Sequence, residues 1–178
     1  MKTLISIIIF SSLFWGGDAF AQTGYSAKNS IYLELLGNGV FYSVNYERAL
    51  SQSLRGRIGF MSGGLAFKAI CLLIPCYGDE QDRFNLAPLT VNYIHGKGEH
   101  KFEIGLGVAI AFGAKGEFDF DFNDVIIIDQ TTRFLGTGTI GYRFQPETRG
   151  TLFRLGFTPL FSNKGVLPWG GMTIGYAW

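Results

Sequence analysis

Few residues in this chain are of the kinds that do chemistry, and their spacing narrows what they can do. His95 and His100 are the only imidazoles, and they bracket the glycine-rich link Gly96-Lys97-Gly98-Glu99. A hydrolase built on either would need a Ser or similar nucleophile beside the base, and neither histidine is followed by Ser. Cys71 and Cys76 bracket the apolar run Leu72-Leu73-Ile74-Pro75. With no histidine near them they form no metal site, and a local disulfide or a pair of thiols both fit the spacing. Glu117, Asp119, Asp121, Asp124 and Asp129 are rich in oxygen ligands but lack the spacing of a calcium loop, so they read as a solvated outer face. No catalytic, cofactor-binding or metal site is expected from these groups. The remaining set is ionic: Glu34, Glu47, Arg55, Arg57, Lys101, Glu103, Arg133, Arg143 and Arg154. What that set does depends on the elements that carry it.

The clearest element is residues 101–112, KFEIGLGVAIAF. Phe102, Ile104, Leu106, Val108, Ile110 and Phe112 alternate with Lys101, Glu103, Gly105, Gly107, Ala109 and Ala111. Period two means a strand with its two sets on opposite faces. Soluble strands average about five or six residues, whereas a tilted strand crossing a bilayer needs about 9–11. A water-facing side would carry solvating groups, and Gly and Ala instead suit a crowded interior. The large face then points at lipid and the small face into a narrow barrel.

The rest of the chain fits that reading. Lys2, an apolar core from Leu4 to Trp15, and Ala19-Phe20-Ala21 make residues 1–21 a secretory leader cleaved after Ala21. Export permits a disulfide. Residues 22–178 are then one domain. Charged residues are 16%, against about 25% in an ordinary soluble domain. Aromatics are also 16% and Gly numbers 25, which suits a barrel wall better than a water-facing globule. The net charge of +1 gives no reason to expect a nucleic acid partner. After the leader no stretch approaches the about 18 apolar residues of a spanning helix.

Eight alternating segments follow: residues 30–36, 41–49, 54 to about 61, 84–95, 101–112, 131–144, 151–161 and 170–178. Gly37-Asn38-Gly39 reads as a tight turn. The alternation slips phase at Ala87-Pro88, where a bulge is expected because Pro lacks a ladder donor. The links at 50–53, 96–99 and 145–150 are short, and those at 63–83 and 113–130 are long. That is the asymmetry of an up-and-down barrel with periplasmic turns and longer outer loops. Folded this way, aromatic residues gather at both rims. One rim takes Tyr46, Tyr93, Phe102, Tyr142, Phe144, Phe153, Tyr176 and Trp178, the other Tyr42, Phe60, Phe84, Phe112, Phe134, Phe161 and Trp169. The nine charged residues fall on the inner set, where an eight-stranded lumen is just wide enough for side chains. Unpaired buried charge is costly, so they must pair into a plug.

On these residues the chain resembles the small eight-stranded outer-membrane barrels of the OmpA/OmpX type across residues 22–178. The segment LLGNGVFYSVNYERAL resembles the opening hairpin of outer-membrane barrels common in the Bacteroidetes. Trp178, with Tyr176 two before it, resembles the C-terminal signal read by the barrel-assembly machinery, although Thr173 stands where that signal usually has Gly. The fold expected is therefore all-β, an eight-stranded antiparallel transmembrane up-and-down β-barrel.

The resemblance implies a cell outer membrane location in a Gram-negative envelope. It also implies outer-membrane lipid and the assembly machinery as partners. Some barrels of this kind modify lipid A with a histidine near the outer leaflet, but here both histidines flank a periplasmic turn. The expected function is non-enzymatic, structural or exerted through loops. The apolar loop at 63–83 is a candidate contact for an envelope partner. A small anion-favouring pore is the second reading, from the excess of Arg over Glu, and a lipid-modifying enzyme is the third.

Overall fold

The computed structural model describes residues 27–65, 84–113, 118–120, 126–128, 133–162 and 165–178. The leader, both cysteines and, except for the backbone at Asp119, the acidic tip lie outside the described residues. The strands are β1 (Asn29–Leu36), β2 (Tyr42–Ala49), β3 (Leu54–Ser62), β4 (Asn85–Lys97), β5 (His100–Phe112), β6 (Phe118–Phe120), β7 (Ile126–Ile128), β8 (Arg133–Phe144), β9 (Gly150–Phe157), β10 (Leu160–Phe161), β11 (Val166–Leu167) and β12 (Gly170–Ala177).

Eight of them close a ring in the order β1-β2-β3-β4-β5-β8-β9-β12, every pairing antiparallel. The seam is β1 against β12, from Ser30 opposite Ala177 to Leu36 opposite Gly171. Asn29 and Trp178 exchange both backbone bonds at 2.9 Å, so pairing runs to the last residue. β6 and β7 form a separate hairpin, and β10 and β11 continue the wall beyond Thr158-Pro159. Closure leaves the ring no free edge, which removes the aggregation hazard of exposed ladder groups.

The distribution of side chains is the reverse of a soluble protein's. Leu106 is 73% exposed and Phe134 69%, both on the outer surface, while Glu47 and Arg143 are 0% exposed inside. Charged groups are almost never fully buried in water-soluble folds unless paired, so the inversion carries information about the solvent. The small inner face of β5 has its expected cause: a Cβ on Gly105 would lie 2.0 Å from Asn92 Oδ1 on β4.

Four details depart from the sequence reading. β4 has no phase slip: it pairs with β5 in one register from Asn85 opposite Phe112 to Lys97 opposite His100. Its register with β3 is also unshifted on either side of Pro88, where the rungs are merely interrupted. Phe84 therefore shares the inner parity of Leu86 and is buried, not part of an outer rim. Trp169 is half-buried, and its indole donates to the Val40 carbonyl at 3.0 Å. Finally, Gly37–Gly39 is a short 3-10 turn whose three residues are all buried, folded into the barrel mouth.

That turn is backbone-strained. Leu36 (φ 61) and Val40 (φ 67) occupy the positive-φ region that bulky and β-branched residues avoid. Phe41 N–H bonds Gly39 O at 2.9 Å across Val40, a γ-turn of the rare hand. Gly37 (φ +71) tolerates its place because it has no side chain; a Cβ there would sit 2.5 Å from Glu34 Cδ. Gly37→Ala is expected to destabilise the barrel by about 1–2 kcal/mol from backbone conformation alone, plus the displacement of Glu34. The loss would show as a lower urea midpoint for the folded band on unheated gels.

Candidate functional site in the barrel lumen

The interior divides into two layers. At the mouth that receives the Gly37–Gly39 turn, Val40, Met61, Phe84, Leu86, Ala109, Ala111, Leu135, Leu160 and Leu167 form a buried apolar cluster, with Phe41, Tyr42 and Trp169 packed against it. Toward the end that holds the termini, the lumen is ionic.

The inward parity of β2, β5 and β8 brings Glu47, Glu103 and Arg143 together at its centre. Arg143 grips Glu47 with both terminal nitrogens, Nη2 on Oε1 and Nη1 on Oε2 at 3.0 Å. The same Nη1 reaches Glu103 Oε2 at 3.2 Å, and Nε donates to Gln145 Oε1 at 2.7 Å. Arg154, from β9, donates to the other Glu103 oxygen at 2.6 Å and to the Tyr32 hydroxyl at 2.9 Å. Tyr32 in turn donates to Glu47 Oε2 at 3.4 Å. The fixed fork of guanidinium lets one side chain tie carboxylates on separate strands, which an ammonium does less well.

A second ion pair lies nearer the mouth. Arg57 on β3 binds Glu34 on β1 through Nη2 and donates from Nε to Asn45 Oδ1 at 2.9 Å. Ser43 donates to Glu34 Oε2 at 3.0 Å. The Tyr32 ring lies between the two pairs, with the Arg57 and Arg154 guanidinium carbons 5.4 and 5.2 Å from its centroid. Asn38 joins the turn to this layer. In the amide orientation that satisfies both its ends, Oδ1 accepts from Arg57 Nη1 (3.2 Å) and Thr139 Oγ1 (3.3 Å), while Nδ2 donates to Thr137 Oγ1 (3.2 Å) and Gly138 O (3.3 Å).

Arg55 stands at the edge, with Nη1 3.8 Å from Glu47 Oε1 and donating to Ala27 O at 3.0 Å. Among the described residues, four guanidinium groups thus face three carboxylates, and neutral acceptors on Ala27, Gln145 and Tyr32 take up the surplus. The cavity beside Glu34, Glu103, Arg154, Thr158 and Thr173 measures about 10 Å³, close to the minimum for one water.

Of the nine charged residues expected in the lumen, Glu34, Glu47, Arg55, Arg57, Glu103, Arg143 and Arg154 meet in this network. Lys101 is half-buried at its edge, and the Arg133 side chain lies outside the described residues. Tyr32, Asn45, Ser43, Asn38 and Gln145 join it without having been singled out from sequence. Parity along β1 and β2 marks the first three as inward, whereas Asn38 and Gln145 sit in segments that read as turns. The histidines lie elsewhere: both are exposed at the rim, with His100 Nδ1 2.6 Å from the Tyr142 hydroxyl and His95 stacked on Tyr93. Tyr176 and Trp178 are outward and exposed at the end of the closing strand.

No family model matches the sequence, and no curated protein matches it. Among solved structures, the chain is similar to the N-terminal β-barrel domain of OprF from Pseudomonas aeruginosa. The TM-score is 0.56 at 12% identity, over 88% of this chain and 100% of that one. The fold is thus the closed eight-stranded antiparallel barrel of the OmpA type.

Proposed function

We propose that residues 22–178, freed of a leader at 1–21, form a non-enzymatic integral outer-membrane barrel of a Gram-negative envelope. In this reading its lumen is closed and its role is structural or exerted through its loops, the 63–83 segment among them. The observation that carries it is the fully buried Arg143–Glu47–Glu103 centre stacked beneath an apolar cluster. A side-chain-filled lumen leaves the outer surface and the loops as the means of contact with other molecules. Reconstitution tests the reading: the mature chain should insert into vesicles and resist alkaline extraction, and its deletion should leave the lipid A mass spectrum unchanged. A lost or gained acyl species would favour a lipid-modifying enzyme. Among the described lumen side chains, guanidinium groups outnumber carboxylates, and this supports a small anion-favouring pore as the second reading.

Biogenesis follows from the seam. β12 must meet β1 to close the ring, and Trp178 holds the last rung of that pairing. Deleting Trp178 is expected to lower outer-membrane levels severalfold more than deleting Thr148 from the 145–150 link, as quantitative immunoblots of membrane fractions would show. Equal losses would mean Trp178 is no signal for the assembly machinery.

A further inference from the structure

The barrel's outer face is apolar along its middle, but at the end holding the termini three nitrogen-bearing side chains cluster on two neighbouring strands, with Arg48 and Asn29 two and three strands away on β2 and β1. His95 and Lys97 follow Tyr93 on the outward side of β4. His100 opens β5 directly opposite Lys97, and Phe102 lies opposite His95. Directly paired residues have Cβ atoms about 5 Å apart and diagonal neighbours about 7–8 Å, so the three form one patch. All three are exposed. Glu99, in the turn between the strands, is the nearest acidic residue along the chain.

Aromatic rings fix the imidazoles in place. The His95 ring stacks on Tyr93 with centroids 6.4 Å apart and planes 13° from parallel. His100 Nδ1 is 2.6 Å from the Tyr142 hydroxyl, and its ring stands edge-on to Phe144 at 5.6 Å. With the hydroxyl donating to Nδ1, the neutral ring carries its proton on Nε2 and is left with a donor, next to the Lys97 ammonium. Amphipathic rings such as Tyr93 and Tyr142 settle at headgroup depth, which puts these donors at the level of lipid phosphates.

We propose that this patch binds the phosphate of an anionic phospholipid headgroup, with the acyl chains lying along the apolar face past Tyr93, Ile104 and Val91. The site rests on the membrane reading above. Location and charge both favour lipid, since the patch borders the apolar wall and presents donors to a phosphate.

The test is native mass spectrometry of the folded chain in micelles doped with equal dioleoyl phosphatidylglycerol and dioleoyl phosphatidylcholine. The wild type should retain the anionic lipid about fivefold over the zwitterionic one. Lys97→Gln with His100→Gln should lose that preference. Lys97→Arg should keep it, and so should Arg149→Gln, which removes a like charge from the 145–150 link. Equal retention of both lipids by the wild type would overturn the site, as would an equal loss from Arg149→Gln. Displacement of the lipid by inorganic phosphate would overturn the lipid assignment. A chain that gathers neither detergent nor lipid would contradict the membrane reading, and the patch with it.

Discussion

Glu47→Ala is expected to destabilise the folded barrel by about 3–5 kcal/mol, the cost of breaking a buried pair and stranding its partners. Glu47 takes both terminal nitrogens of Arg143, lies 3.8 Å from Arg55 Nη1, and accepts from Ser30 at 3.3 Å. Removing it leaves two guanidinium groups beside a single remaining carboxylate, Glu103, which Arg154 already shares. Urea unfolding of the barrel in lipid vesicles, followed by tryptophan fluorescence, measures the loss. Arg143→Ala should cost a similar amount by stranding Glu47. The double variant, Glu47→Met with Arg143→Met, should lose much less than the two single changes together, because an apolar pair of similar volume leaves no stranded charge at that contact. Additive losses would mean the two groups act separately.

Leu106→Arg should cost about 2–4 kcal/mol of folding free energy in a bilayer, the penalty for a cation on the lipid face near the midplane. Leu106 sits mid-strand in β5 and is the most exposed of the described outward apolar residues at 73%. Leu106→Phe keeps the surface apolar and should fold about as well as the wild type. The same urea titration in vesicles reads both. Should the arginine be tolerated and the phenylalanine not, the inner and outer faces would have to be exchanged.

Strand number and facing were legible because a barrel strand spells its two faces with period two, as β5 does over thirteen residues. The inversion at Phe84 was not. In the mouth-side half of the barrel both faces are apolar, so Phe84 and Leu86 look like lipid-facing residues until the unbroken parity through Pro88 places them inside. The phase slip inferred there had a sound premise, since Pro88 lacks a donor, but the chain drops rungs instead of shifting register. Inward charges were legible as a set, and their partners were not. Which guanidinium meets which carboxylate depends on the stagger of strands far apart in sequence: Arg143 and Glu47 are separated by 96 residues. Asn38 shows the limit of local reading. Gly-Asn-Gly specifies a turn, but only the packing of the whole mouth, with Trp169 on Val40, folds that turn inward.

A lumen closed by its own side chains carries no ion current, and single-channel recording in planar bilayers measures that current. Wild type and Glu47→Ala would be reconstituted in the same lipid and salt. A flat baseline is expected for the wild type and anion-selective openings for Glu47→Ala, where unpaired guanidinium groups line a breached network. A steady, anion-selective conductance in the wild type would contradict the closed lumen and make the barrel a pore.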